Sequence, residues 1–169
     1  MKLKSFCKFL VFSTLFVQFF IVPKTSHADT FETAQIHEGT YKIVSALNDS
    51  SLLDMDMQTR NVQLFTDHGA KNQKWKFTYI FRDGAYSISC SDYSKGSSYL
   101  GSDGYNVYGG TGGGHWELES AGDGYYYLRN NKDYKYLDVY DEKTEDKTNI
   151  IVYNFNGQKN QKFKLVRVD

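Results

Sequence analysis

From Gly39 onward, apolar and polar positions alternate in short runs, each introduced by a glycine. Gly39-Thr40-Tyr41-Lys42-Ile43 returns as Gly84-Ala85-Tyr86-Ser87-Ile88 and again as Gly124-Tyr125-Tyr126-Tyr127-Leu128. Period-two alternation puts every second side chain on one face, so each run predicts a strand half-buried in a core and entered from a turn. A second motif follows each run: Leu53-Asp54-Met55, Tyr99-Leu100-Gly101 and Tyr136-Leu137-Asp138-Val139. A third closes each unit: Asn72-Gln73-Lys74-Trp75-Lys76-Phe77, Gly114-His115-Trp116-Glu117-Leu118 and Asn160-Gln161-Lys162-Phe163-Lys164-Leu165. The closing aromatic recurs after 41 and 47 residues, and the leading tyrosine after 45 and 40.

Three offset series in one order describe an internal repeat, with units at 37–80, 81–121 and 122–169 separated near Phe81-Arg82-Asp83 and Ala121-Gly122-Asp123. A period near 40 also suits helical arrays and propeller blades. The segments show no amphipathic helix of useful length, and three blades fall below the usual minimum of about four. Three short β-units that cannot bury their own faces must share one core. A closed, threefold, all-β barrel is the economical solution.

The first residues do not fit this pattern. Lys2, Lys4 and Lys8 precede a largely apolar run from Phe9 to Val22, which Pro23 ends before Ser26-His27-Ala28. This layout predicts a secretory signal at 1–28, cut after Ala28. The run of 14 residues is short against the ~20 that span a bilayer, so no membrane insertion is expected. Residues 29–36 read as a loose leader before the domain at 37–169.

Cleavage would leave 141 residues, the size of one domain. Cys7 would depart with the signal, leaving Cys90 alone in an alternating stretch, where a small buried apolar role suits it. An exported chain without a disulfide fits a bacterial source and an extracellular location. After the signal there are 16 basic and 20 acidic residues, so neither nucleic acid nor an anionic membrane is expected as partner. All 14 tyrosines follow the signal, in keeping with β-structure.

Gln73-Lys74-Trp75 and Gln161-Lys162-Phe163, with Gln63-Leu64-Phe65 upstream of the first, resemble the Gln-x-Trp (or Phe) pattern of ricin-B-type β-trefoil lectins. The likeness runs over nearly all of residues 37–168, and the general impression is similar to small trefoil haemagglutinins that accompany bacterial toxins. The resemblance implies a β-trefoil of three pseudo-symmetric repeats. It also implies structural rather than ligand-binding roles for Gln73, Trp75, Gln161, Phe163 and Trp116.

The same likeness implies that each repeat takes sugar with an Asp after its second strand, an aromatic on its third, and an Asn just before the Gln. A carboxylate accepts hydroxyl hydrogens in charge-assisted bonds, an amide both donates and accepts, and a flat ring covers the apolar face of a hexose. The third repeat supplies Asp138, Tyr153 and Asn160. The first supplies Asp54, Phe65 and Asn72, with Gln63 as a helper, and seven residues separate aromatic from Asn in both. The second has Gly101 in place of the Asp and Gly113-Gly114 in place of Asn-Gln, so that lobe should be silent. Taken alone, Asp138 reads as an ordinary loop residue; its recurrence with an aromatic and an Asn favours binding. Asp141-Glu142-Lys143-Thr144-Glu145-Asp146-Lys147 reads as a solvated loop beside the third site. Gly109-Gly110-Thr111-Gly112-Gly113-Gly114 reads as a flexible loop, with no helix after it to cradle phosphate.

No His-Glu-x-x-His, paired cysteines or Gly-x-Ser-x-Gly occurs, so neither a metal, a cofactor nor an enzyme is expected. The leading expectation is a secreted, non-enzymatic lectin for galactose-type glycans, with a larger toxin or haemagglutinin subunit as a candidate partner. A structural adaptor with vestigial sugar sites and a trefoil hydrolase inhibitor are the alternatives.

Overall fold

Each repeat folds into four short strands, in the order its alternating runs predict. The computed structural model describes residues 32–92, 94, 96 and 98–169; the secretory signal expected at 1–28 lies outside the described residues. The first repeat contributes β1 (Gly39–Ser45), β2 (Ser51–Met55), β3 (Val62–Thr66) and β4 (Trp75–Ile80). The second contributes β5 (Ala85–Cys90), β6 (Tyr99–Ser102), β7 (Val107–Gly110) and β8 (His115–Gly122). The third contributes β9 (Tyr125–Asn130), β10 (Tyr136–Val139), β11 (Thr148–Tyr153) and β12 (Phe163–Arg167).

The outer strands of the repeats close on one another: β1 pairs β4, β4 pairs β5, β5 pairs β8, β8 pairs β9, β9 pairs β12, and β12 returns to β1, all antiparallel. Closure removes the free edges that an open sheet would present to other chains. The inner strands form three hairpins, β2–β3, β6–β7 and β10–β11. These hairpins meet through β3–β11 pairing and through the bridges Asn61 to Tyr108 and Asn106 to Ile151. A six-stranded barrel capped by three hairpins is a β-trefoil.

The repeats bury equivalent side chains in one core: Ile43, Ile88 and Leu128; Leu53, Leu100 and Leu137; Trp75, Trp116 and Phe163. Each indole N–H donates to a backbone carbonyl that has no place in the ladder, Trp75 to Leu53 at 3.0 Å and Trp116 to Leu100 at 2.9 Å. The rings thus fill the barrel and satisfy buried backbone groups together. Phe163 keeps the filling and gives up the donor. Cys90 is fully buried, and burial pushes its thiol up to about 11, so it stays a protonated apolar filler.

One asparagine from each hairpin reaches the threefold axis. Asn61 Nδ2 donates to Asn149 Oδ1, Asn149 Nδ2 to Asn106 Oδ1, and Asn106 Nδ2 to Asn61 Oδ1, at 2.9, 2.8 and 2.9 Å. Each amide donates once and accepts once around this ring, so the hairpin cap is joined by side chains where its strands diverge.

The segment before β1 departs from the loose leader its sequence suggests. Ala34 N–H donates to the Leu118 carbonyl, Ser120 N–H donates to the Glu32 carbonyl, and Thr33 bridges Glu119. The Tyr86 hydroxyl both donates to the Ile36 carbonyl and accepts from the Ile36 N–H, at 2.8 Å each way. Ala34 and Ile36 pack on the core. Their alternation with polar neighbours extends the period-two pattern, which is the physical reason the segment lies flat on the barrel wall.

Candidate functional site

The three residues expected in the third repeat converge. Asp138 leaves β10 on the same face as Ile151, its register partner on β11, and Tyr153 ends that strand two residues later. A short turn, Lys159–Gln161, brings Asn160 underneath. Asn160 Nδ2 donates to both carboxylate oxygens of Asp138 at 3.0 Å, and Gln161 Nε2 donates to Oδ2 at 2.8 Å. Asp138, Asn160 and Tyr153 line one cleft of about 380 Å³. Asp138 is only 3% exposed, whereas 53% of Tyr153 is open to solvent, so a fixed carboxylate lies at the floor and a free ring at the wall.

Gln161 holds this arrangement together, as its structural role implies. Its Nε2 also donates to the Asn154 carbonyl at 2.9 Å, and its Oε1 accepts the Asn156 N–H at 2.9 Å. The connection leaving β11 is thereby tied to the floor. Burial pushes the Asp138 carboxyl up to about 6; the Glu142 charge adds to the shift, and the Gln161 and Asn160 amides oppose it.

Asn156 and Tyr140 escaped sequence reading. Asn156 sits over the floor, with Nδ2 3.5 Å from Asp138 Oδ2 and 3.3 Å from Asn160 Oδ1. Asp141 and Glu142, which the sequence placed in a solvated loop beside this site, line the far wall together with Tyr140. The cause is backbone geometry: Asp141 and Glu142 are both left-handed, at φ 56° and 54°, which folds the turn back over the cleft. A signal for Asn156 existed. Aligning the first and third repeats on their glutamines places Asn156 and His68 five residues before each.

In the first repeat the same positions also meet. Asp54, buried on β2, accepts from Gln63 Nε2 at 3.3 Å and from Asn72 Nδ2 at 2.9 Å. His68 Nε2 lies 3.0 Å from Asp54 Oδ2, and the Phe65 ring packs edge-on against the imidazole, centroids 5.5 Å apart. Gln73 repeats the clamp of Gln161, binding the Thr66 carbonyl and the His68 N–H. His68 therefore occupies the place of Asn156 and was likewise missed. The floor of this lobe carries one more side-chain partner class, an imidazole, on its carboxylate.

The second lobe lacks the constellation, and its glycine segment is close-packed at Gly109 and Gly113 while Gly112 stands open. A Cβ on Gly113 would collide with Tyr99 Cβ, and one on Gly109 with the Met55 thioether. Gly101, in the Asp position, faces the Gly112 carbonyl and Gly113 Cα at 3.7 Å from where its Cβ would lie. Main chain thus lies in contact with the position from which the other two lobes extend a carboxylate.

The family model for ricin-type beta-trefoil lectin domain-like proteins matches residues 113–169. The solved structure of ThreeFoil, a designed threefold-symmetric protein, is 32% identical, with 77% of this chain covering 99% of that chain at a TM-score of 0.67. The chain belongs to the ricin-type β-trefoil lectin-like family. Other members of this trefoil group lie further off in sequence. The Macrolepiota procera ricin B-like lectin in complex with lactose is 20% identical, over 80% of this chain and 100% of that chain, with a TM-score of 0.69. A mosquitocidal holotoxin is 24% identical over 78% of this chain and 16% of that chain, with a TM-score of 0.72. No curated protein matches the chain.

Proposed function

We propose that this protein is a carbohydrate-binding lectin whose third lobe takes a galactose-type sugar between Asp138, Asn160 and Tyr153. The observation that carries the reading is their convergence on one cleft, with a buried carboxylate at its floor and an exposed ring at its wall. Sugar hydroxyls donate to Asp138 and exchange hydrogen bonds with Asn160 and Asn156, while Tyr153 covers the apolar face of the hexose. The lactose complex of the Macrolepiota procera relative supports the galactose type. The first lobe, with Asp54, Phe65, Asn72 and Gln63, is a second site in this reading.

The protein works outside the cell, exported by the signal at 1–28 and acting by attachment rather than by catalysis. One such cleft holds a monosaccharide with a Kd of about 1 mM, or about −4 kcal/mol. Useful attachment comes from pairing lobes or from a partner chain, through effective concentration. The likeness to part of a mosquitocidal holotoxin supports a larger toxin subunit as that partner.

Retention on immobilised galactose tests the reading. Asp138→Ala should lose third-lobe retention, and Tyr153→Ala, at an exposed ring, should lower it with no change in the unfolding transition. Retention of both variants equal to that of the wild-type protein overturns the assignment.

A further inference from the structure

The walls of the third-lobe cleft carry a charge pattern that a neutral sugar does not use. Asp138, Asp141 and Glu142 all line it, and its lining contains no Lys, Arg or His. Lys143 bonds Asp141 at 3.1 Å, but both groups are more than half exposed, so water and salt weaken that compensation. Glu142 has no such compensation within the lining, and its charge is felt at the Asp138 carboxyl. The turn that brings Asp141 and Glu142 here uses two left-handed non-glycine residues, a conformation seldom adopted, and it places both on the cleft wall.

The polar inventory points the same way. The floor carboxylate already accepts from Asn160 and Gln161, and Asn160 Oδ1 faces Asn156. The carboxylates of the wall are acceptors only, and an ammonium group offers three donors together with a matching charge. An anionic substituent would instead meet like charges at floor and wall with only amides to receive it, a repulsion that salt screens at the exposed wall residues.

We propose that this cleft, taken as the sugar site above, selects sugars bearing a free amine over their neutral counterparts and rejects sugars bearing a carboxylate or sulfate. The discriminating residues are Glu142 and Asp141, while Asp138, Asn160 and Tyr153 hold the ring common to all of them. An amine on a sugar has an ammonium pKa not far from the about 8 of an α-amino group, so near pH 7 it is charged while the Asp138 carboxylate is ionised.

The test is a set of competition titrations at pH 7 against wild-type protein, using galactose, 2-amino-2-deoxygalactose, 6-amino-6-deoxygalactose, N-acetylgalactosamine and galacturonic acid. At low ionic strength at least one amino sugar should bind about fivefold more tightly than galactose, and galacturonic acid about fivefold more weakly. The amine advantage should narrow in about 0.5 M NaCl. N-acetylation, which removes the charge, should abolish it. In Glu142→Gln the ratio of amino sugar to galactose should fall toward one, and in Glu142→Gln with Asp141→Asn the penalty on galacturonic acid should shrink. Galactose binding with no advantage for either amine overturns this inference alone. So does an advantage that ignores salt or survives the double substitution. Failure of every sugar to bind overturns the reading of the cleft itself.

Discussion

The side-chain amide of Asn61 donates to the side-chain Oδ1 of Asn149 at 2.9 Å, tying the first hairpin to the third across 88 residues of chain. With Asn106 the two form a closed ring, so removing one member strips two partners at once. Asn106→Ala should cost about 1–3 kcal/mol in urea unfolding, the usual range for leaving partly buried polar groups unpaired. The double variant Asn61→Ala with Asn149→Ala should cost less than the sum of the singles, because the bond between them is lost only once. Strict additivity would show the ring to be energetically idle.

Asp138 should give binding and stability opposite responses to pH. Its folded carboxyl titrates near 6 against the usual 3.8, so between these values the folded protein holds a proton that the unfolded chain releases. Stability therefore declines as pH rises through that window. Asp138→Asn removes the titration. The stability of wild type relative to this variant should fall on the order of 2 kcal/mol from pH 4 to pH 6.5. Sugar binding, which needs the ionised acceptor, should instead rise as pH climbs through about 6. Parallel chemical-denaturation and sugar-titration series across that range check both signs.

The second lobe should resist restoration. Gly101→Asp brings a carboxylate into ordinary van der Waals contact with the Gly112 and Gly113 backbone. It should add no sugar site by titration stoichiometry, since Gly113-Gly114 supplies no counterpart of Asn160-Gln161. Gly113→Ala should destabilise the fold by about 1–3 kcal/mol through overpacking, since its Cβ meets Tyr99.

The first and third lobes should contribute separately. Tyr153→Ala should leave residual retention on galactose, and adding Asp54→Ala should remove it. Full loss in Tyr153→Ala alone would assign binding to the third lobe only. His68→Asn, which gives the first lobe the side chain that Asn156 provides in the third, should raise that residual retention.

The repeat was legible because a period-two pattern and a buried aromatic recur in one order, and nothing but a shared core lets Trp75, Trp116 and Phe163 all disappear from solvent. Convergence of Asp138, Tyr153 and Asn160 was implied by the resemblance to ricin-B-type lectins, carried onto the repeat residue by residue. Asn156 and His68 were hidden because they belong to irregular connections whose path depends on the glutamine clamps. Asp141 and Glu142 were legible as neighbours of the third site but not as its wall, because left-handed backbone at non-glycine residues leaves no mark in composition. In the glycine segment 109–114 the close packing of Gly109 and Gly113 was hidden, because the residue type that permits flexibility also permits contact too close for any side chain. The leader was misread because Ala34 and Ile36 alone make too short an alternation to register as an extra bridging segment.

Asp54 on β2 and Asp138 on β10 put buried carboxylates on two of the three hairpins that the asparagine ring ties together. The β6–β7 hairpin, with Gly101 at that position, holds the same scaffold without the acid, so the threefold symmetry of the barrel is not a symmetry of its chemistry.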